Sequence, residues 1–261
     1  MTGPGETYGV LGVGALASAI VTGLCDGVPD APPIVLSPRN PEIAVGLAAR
    51  FPSVTVAPDN QSVVDASTVV VVCLRQARAD VLGDLVWRPG QVVVSAVAGL
   101  PLARVAELVA PAGSVARAVP MPEVATRASA TPVHPPLAPV VALFDRLGGA
   151  LPIEDGDQFE AIFTALGTVA PFFEYLGVLA GFLVDHGLPA PAAQRLVADS
   201  FAGVLATLAE ADSPDLTELV KEYAPPGGGN AQFSAELHAA GVFEAMRRSL
   251  DTVHERLTAP R

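Results

Sequence analysis

The chain has 261 residues, 51% of them apolar and 16% charged, with a formal net charge of −12. That apolar content can bury a sizeable core and excludes global disorder, and the length suits one large domain or two modest ones. The acidic balance excludes a general affinity for nucleic acid or anionic membrane, yet leaves room for a local basic spot that holds one phosphate.

Residues 7–11 read as a first strand and residues 15–26 as the helix that follows it. A second strand over 33–37, a helix over 41–50, a short strand over 54–57 and one or two helical turns over 60–66 come next. The run TVVVVCL at 68–74 is continuously apolar, as expected of a strand buried on both faces. A helix over 77–85, a buried strand over 91–97, a helix over 101–109 with Pro101 in its first turn and a strand over 114–119 continue the series. Residues 130–133, 139–147 and 150–153 add edge elements. Strand–helix alternation at this spacing implies a parallel sheet with right-handed crossovers.

The character changes after Asp155. Residues 157–186 show helical periodicity up to the breaker Gly187-Leu188-Pro189, and residues 190–211 form a second long helix. Asp212-Ser213-Pro214 interrupts the chain, with Ser213 placed as an N-cap and Pro214 at the first helical position. A short helix over 216–223, a loop APPGGGN over 224–230 that suits neither helix nor strand, and a final helix over 231–257 complete the chain. The expectation is an α/β domain over 1–154 followed by an all-α domain over 155–261. Residues 169–184 are the most apolar later stretch, but Pro171 and Glu174 interrupt a segment already short for a bilayer.

Cys25 and Cys73 lie in apolar surroundings and read as reduced, buried thiols. The four histidines, His134, His186, His238 and His254, are scattered, and no spacing gives a metal motif. The N-terminus shows no basic stretch followed by an apolar run, so a cytoplasmic location is expected.

The strongest signal is GVLGVGALA at 9–17, which contains G-x-G-x-x-A as Gly12, Gly14 and Ala17. Gly12 allows a tight turn out of the first strand, Gly14 lets the backbone approach a pyrophosphate, and Ala17 is small enough for helix to pack on strand. The helix start at Ala15 and Leu16 then offers free N–H groups to the phosphates. Such a motif alone is weak. Between a strand and a helix, at the head of an alternating β/α half, it defines a Rossmann-type dinucleotide site. The end of the second strand should meet the adenosine ribose, where NAD-specific proteins place a carboxylate. This chain has Ser37-Pro38-Arg39-Asn40 instead. Ser37 and Arg39 would hydrogen-bond and neutralise a 2′-phosphate, which favours NADPH, with NADH as the alternative.

With these features assembled, the chain resembles the pyrroline-5-carboxylate reductase family over nearly its full length. GVLGVGALASAI resembles the family's opening glycine motif, and Asp59-Asn60 its D-N pair, where Asn60 would lie near the adenosine. Cys73-Leu74-Arg75-Gln76 resembles the family's V-K-P-Q segment, which would put Leu74 and Arg75 along the dinucleotide. Ser95-Ala96-Val97-Ala98-Gly99 resembles S-I-A-A-G, implying Ala96, Ala98 and Gly99 beside the nicotinamide ribose. Arg117-Ala118-Val119-Pro120 begins like R-x-M-P-N, with Met121 where the family has Asn. The resemblance further implies a homodimer through the C-terminal helices, with the site completed across subunits. The apolar stripe Phe172, Phe173, Tyr175, Leu176, Leu179, Phe182 and Leu183 fits such a contact, or else the domain's own core.

The departures lie at the substrate end. The family's S-G-S-G-P-A-Y is matched by Gly167-Thr168-Val169-Ala170-Pro171-Phe172-Phe173, and its T-S-P-G-G-T-T by Ala224-Pro225-Pro226-Gly227-Gly228-Gly229-Asn230. In the family this loop holds the substrate carboxylate through backbone N–H groups and hydroxyls. Here Gly227, Gly228 and Gly229 keep the backbone donors, every hydroxyl is gone, and Asn230 alone offers a side-chain donor in the matching place. Losing such donors costs roughly 1–3 kcal/mol each. A more apolar cyclic imine, or weak turnover of pyrroline-5-carboxylate, is the expectation, with Asn230, Thr168 or water as the donor to the imine nitrogen. Two readings stand beside it: a reductase of a different imine or keto acid on the same plan, and a nucleotide-binding paralogue with little activity. Keto-acid enzymes of this plan commonly use a helical Lys, and Lys221 is the only lysine here.

Overall fold

The computed structural model describes residues 6–209 and 215–259. It divides into two compact units, residues 1–162 and 163–261.

The first unit is built on an eight-stranded sheet. Strands β1 (Tyr8–Leu11), β2 (Ile34–Leu36), β3 (Val54–Val56), β4 (Val69–Val72), β5 (Val92–Ser95), β6 (Ser114–Ala118), β7 (Thr131–His134) and β8 (Ala150–Pro152) stand in the order β3-β2-β1-β4-β5-β6-β7-β8. All neighbours pair in parallel except β6 and β7, which are antiparallel. The first six strands have the doubly wound order whose direction reverses between β1 and β4, where such sheets bind ligands at the carboxyl ends of their strands. The antiparallel step at β7 departs from the all-parallel expectation. The turn through the 3-10 segment Pro122–Thr126 brings the chain back beside β6 in the opposite direction.

Helices α1 (Ala15–Cys25), α2 (Pro41–Arg50), α3 (Asn60–Ala66), α4 (Leu102–Leu108) and α5 (Ala138–Asp145) cover the sheet. Alternate residues of β4 explain the two layers. Val69 and Val71 face a core with Ile20, Leu24, Leu47 and Phe144, while Val70 and Val72 face another with Val63, Leu82, Val105 and Leu108. A strand buried on both sides must be apolar at every position, because successive side chains point to opposite faces. Each fully buried valine there contributes about 1.5–3 kcal/mol. The stretch read as a helix over 77–85 is a 3-10 helix, Gln76–Asp84, with Ala79 and Leu82 as its buried residues.

Helix α6 (Gly156–Leu166) begins on the first unit, so the boundary between the compact units falls later than the composition shift at residue 155, inside this helix. Phe159 is 1% exposed and lies under the Arg117 guanidinium of β6, 4.9 Å from its carbon, and Glu160 forms an ion pair with Arg117.

The second unit is helical: α7 (Val169–Asp185), α8 (Ala190–Ala209), α9 (Leu216–Tyr223), α10 (Gly229–Ala239) and α11 (Val242–Thr258). It differs from the sequence expectation in three places. The run 157–186 is two helices, because Gly167-Thr168 interrupts it. The final run 231–257 is also two, because Gly241 adopts a left-handed φ of 69°. The loop APPGGGN is shorter than expected, since Gly229 and Asn230 already belong to α10. The N-cap expected at Ser213 lies outside the described residues. Asp215 caps α9, accepting from Thr217 N at 2.8 Å and Glu218 N at 3.3 Å.

Helix α7 is apolar on both faces apart from Glu174 and the terminal Asp185, and the two faces meet different fates. Leu176, Leu179 and Leu183 pack with Ala193 and Val197 of α8. Phe173, Val178 and Phe182 remain 64%, 71% and 61% exposed. Residues Gly156–Asp185 taken together are long and apolar enough to cross a membrane by length and composition, beyond the shorter span considered in the sequence. The break at Gly167-Thr168 nevertheless leaves helices of 11 and 17 residues, the longer of them at the lower limit for a spanning helix.

Candidate nucleotide and substrate site

The glycine turn follows β1 at the point where the strand order reverses. Gly12 has φ +91°, and a Cβ there would stand 2.8 Å from both the Cys73 carbonyl oxygen and Leu74 Cδ2. Only glycine fits both constraints. Gly14 is different: its backbone is extended (φ −120°, ψ −163°), and an added Cβ would meet nothing within 4 Å. The fold therefore does not require glycine at position 14, although a ligand approaching from solvent would. No side chain caps α1, so the N–H groups of its first turn, with Ala15 and Leu16, point to the same open space.

The turn is fixed from the side by residues whose role the sequence does not announce. Ser37 Oγ accepts from Gly12 N at 3.1 Å. Ser37 is completely buried, which corrects the expectation that its hydroxyl meets a 2′-phosphate; it holds the turn in place instead. Asn40, in the left-handed region at φ 66°, donates its side-chain amide to the Val13 carbonyl at 3.2 Å. Across the sheet, Gln76 Nε2 donates to Gly99 O at 2.8 Å, and Gly99 has φ +70°. Asn40 and Gln76 act through backbone partners far away in sequence, and only the fold reveals them.

The other cofactor residues read from the sequence follow the carboxyl ends of the strands on either side of β1. Arg39 follows β2, Leu74 and Arg75 follow β4, and Ala96, Ala98 and Gly99 follow β5, with Arg39, Arg75 and Ala98 exposed and Leu74, Ala96 and Gly99 half-buried. Asn60 opens α3 beyond β3, capped by Asp59, whose carboxylate accepts from Ser62 N at 2.7 Å. That backbone donor holds the Asp59 carboxyl below its ordinary pKa. Met121 follows β6 and is half-buried. Burial pushes the Cys73 thiol up to about 12 and raises that of Cys25, so neither supplies a thiolate; both are free cysteines. Among the described residues, no group of three His, Cys, Asp or Glu side chains could hold a metal ion.

In the helical unit, Gly227 takes a left-handed φ of 81° and Gly228 is the N-cap of α10, with Gly229 its first residue and no side-chain cap. Asn230 Nδ2 donates to Tyr223 O at 2.9 Å, stapling the loop shut. Its amide keeps a second N–H. Thr168 Oγ1 donates to Ala165 O at 2.8 Å, so its single proton is already committed.

Two family models match the chain, one in each half. Residues 157–259 match the model described as pyrroline-5-carboxylate reductase dimerisation, and residues 7–99 match NADP oxidoreductase coenzyme F420-dependent, together about three quarters of the chain. Among solved structures, a 1-pyrroline-5-carboxylate reductase from Streptococcus pyogenes is 24% identical with a TM-score of 0.80, covering 96% of this chain and 97% of the other. A pyrroline-5-carboxylate reductase from Coxiella burnetii is 20% identical with a TM-score of 0.80, covering 97% of each chain. A pyrroline carboxylate reductase from Plasmodium falciparum with NADP bound is 15% identical with a TM-score of 0.79, again covering 97% of each. A search of curated protein sequences finds no match. The sheet unit with its glycine turn and the helical unit thus define a two-domain oxidoreductase built for a nicotinamide dinucleotide. Within that class it shares the two-part fold of the pyrroline-5-carboxylate reductases, and its helical half matches their dimerisation model.

Proposed function

We propose that the protein reduces the C=N bond of a small cyclic imine with NADPH, working as a homodimer in the cytoplasm. The observation that carries this reading is the turn at Gly12 and Gly14. One glycine is demanded by the fold, the other is left facing open space, and the uncapped start of α1 stands beside it.

These residues fit the dinucleotide by its chemistry. The diphosphate would take the first-turn N–H groups of α1, where the helix dipole favours negative charge. Arg39 would meet the ribose 2′-phosphate. Ala96, Ala98 and Gly99 would leave room for the nicotinamide ribose, with Gln76 keeping the Gly99 peptide in place. Bound NADPH supplies the hydride, so the chain's task is to position the imine and to limit charge on its nitrogen. The second N–H of Asn230 suits that task, while Thr168 must first release Ala165 O. Gly227, Gly228 and Gly229 at the start of α10 offer backbone N–H groups but no hydroxyls. Such a site favours an imine with less polar substituents than a carboxylated pyrroline. The exposed apolar face of α7 supports assembly through the helical units.

Oxidation of NADPH, followed by absorbance with a panel of cyclic imines and 2-keto acids, tests the reading. The expected result is turnover of uncharged cyclic imines, slower turnover of pyrroline-5-carboxylate and none of keto acids. Reduction of a keto acid with no imine turned over would overturn it.

A further inference from the structure

We propose that Arg78 is the second arm of a two-arginine clamp on the ribose 2′-phosphate, facing Arg39 across one surface cleft. The inference rests on the nucleotide reading above and adds to it a residue that selects between the two dinucleotides.

Most arginines of the sheet unit are already engaged. Arg50 pairs with Asp26 at 3.1 Å, Arg88 with Asp65 at 3.4 Å, Arg104 with Asp80 at 2.9 Å, and Arg117 with Glu160. Arg127 donates to the carbonyls of Gly23 and Asp26 at 3.0 and 2.7 Å, and Arg146 to that of Asp30 at 3.5 Å. Arg39, Arg75 and Arg78 have no such partner among the described residues, and all three follow β2 or β4, the strands that flank β1 and its glycine turn. Of these, Arg39 and Arg78 stand at one place, with guanidinium groups that no protein carboxylate holds by an ion pair among the described residues.

Arg39 and Arg78 line the same cleft, of about 370 Å³, in the size range of small-ligand sites. The clamp's far wall is rigid. Ala79 and Leu82 anchor the 3-10 segment in the core, and Gln76 pins its start to Gly99, which leaves Arg78 on the outer side. Two carboxylates share the cleft. Asp80 shares Arg104 with Glu107, and Asp84 has no ion-pair partner among the described residues, so the phosphate is held on the side of the cleft where Arg39 and Arg78 stand. A diphosphate is served by the α1 N-terminus, so the anion left for two planar, fork-shaped cations beyond the end of β2 is a phosphomonoester on the ribose.

Titration calorimetry on the full chain with NADPH, NADH, 2′-AMP and 5′-AMP tests this. Arg78→Ala is expected to weaken NADPH and 2′-AMP about tenfold to a hundredfold, the worth of a charge-assisted hydrogen bond, and to leave NADH and 5′-AMP unchanged. Arg39→Ala should behave the same way, and Ser37→Ala, which loosens the turn itself, should weaken NADPH and NADH alike. If Arg78→Ala leaves NADPH binding untouched, or weakens NADH equally, the clamp is refuted while the nucleotide reading stands. If the wild type binds none of the four, both fall together.

Discussion

Gly14→Ala is expected to fold as stably as the wild type and to bind NADPH at least about a hundredfold more weakly, a loss of about 2.7 kcal/mol. Its backbone angles suit any residue, and the added methyl meets nothing within 4 Å. The free protein therefore has no reason to resist the change. A methyl at that place instead stands between the backbone and a diphosphate seated on the start of α1. Gly12→Ala provides the contrast. Its φ of +91° alone costs alanine about 1–3 kcal/mol, and the 2.8 Å approach to the Cys73 carbonyl forces β1 and β4 apart at their ends. Cys73 N donates to Leu11 O at 2.8 Å next to that contact, so the shift spreads into the ladder. This variant should lose both stability and nucleotide binding. Thermal melts read alongside calorimetry separate the two glycines. A Gly14→Ala protein that binds NADPH like the wild type would show that its open space serves no ligand.

The second large effect concerns the junction of sheet and first helix of the C-terminal half. Glu160→Leu is expected to destabilise the sheet unit by about 3–5 kcal/mol, because it strips the carboxylate from a guanidinium whose side chain is 5% exposed. Arg117 lies between this carboxylate and the Phe159 ring, which in turn packs against His134 at a centroid distance of 5.7 Å. Replacing both charges, as Arg117→Met with Glu160→Leu, should recover much of the loss, since no buried charge then remains to be compensated. A denaturant double-mutant cycle measures this directly. Single and double variants that are equally stable to within about 0.5 kcal/mol would mean that the pair is solvated and structurally neutral.

The sequence made some of these features legible and hid others for physical reasons. Gly12, Gly14 and Ala17 were readable because a tight turn, a close backbone approach and helix–strand packing each demand a small residue at a fixed spacing. The valines of β4 were readable because burial on both faces leaves no room for a polar side chain. The role of Ser37 was not, since a hydroxyl beside an arginine at the end of β2 suits a phosphate ligand equally well until Gly12 N is seen 3.1 Å away. Asn40, Gln76 and Arg78 depend in the same way on partners or walls that only tertiary structure supplies. The helical half hid its breaks at Gly167-Thr168 and Gly241. A single glycine within an otherwise periodic run lowers helix propensity by only about 1 kcal/mol, too little to mark an end. The antiparallel β7 escaped because its strand pattern carries no sign of direction.

Everything from the clamp to the imine chemistry depends on a dinucleotide seated on the Gly12–Gly14 turn. Isothermal titration of the purified full chain with NADPH tests this most directly. The account predicts saturable binding in the micromolar range, tighter than for NADH and weakened by salt. An absence of heat or saturation with either nucleotide, from a chain that melts cooperatively, would contradict it.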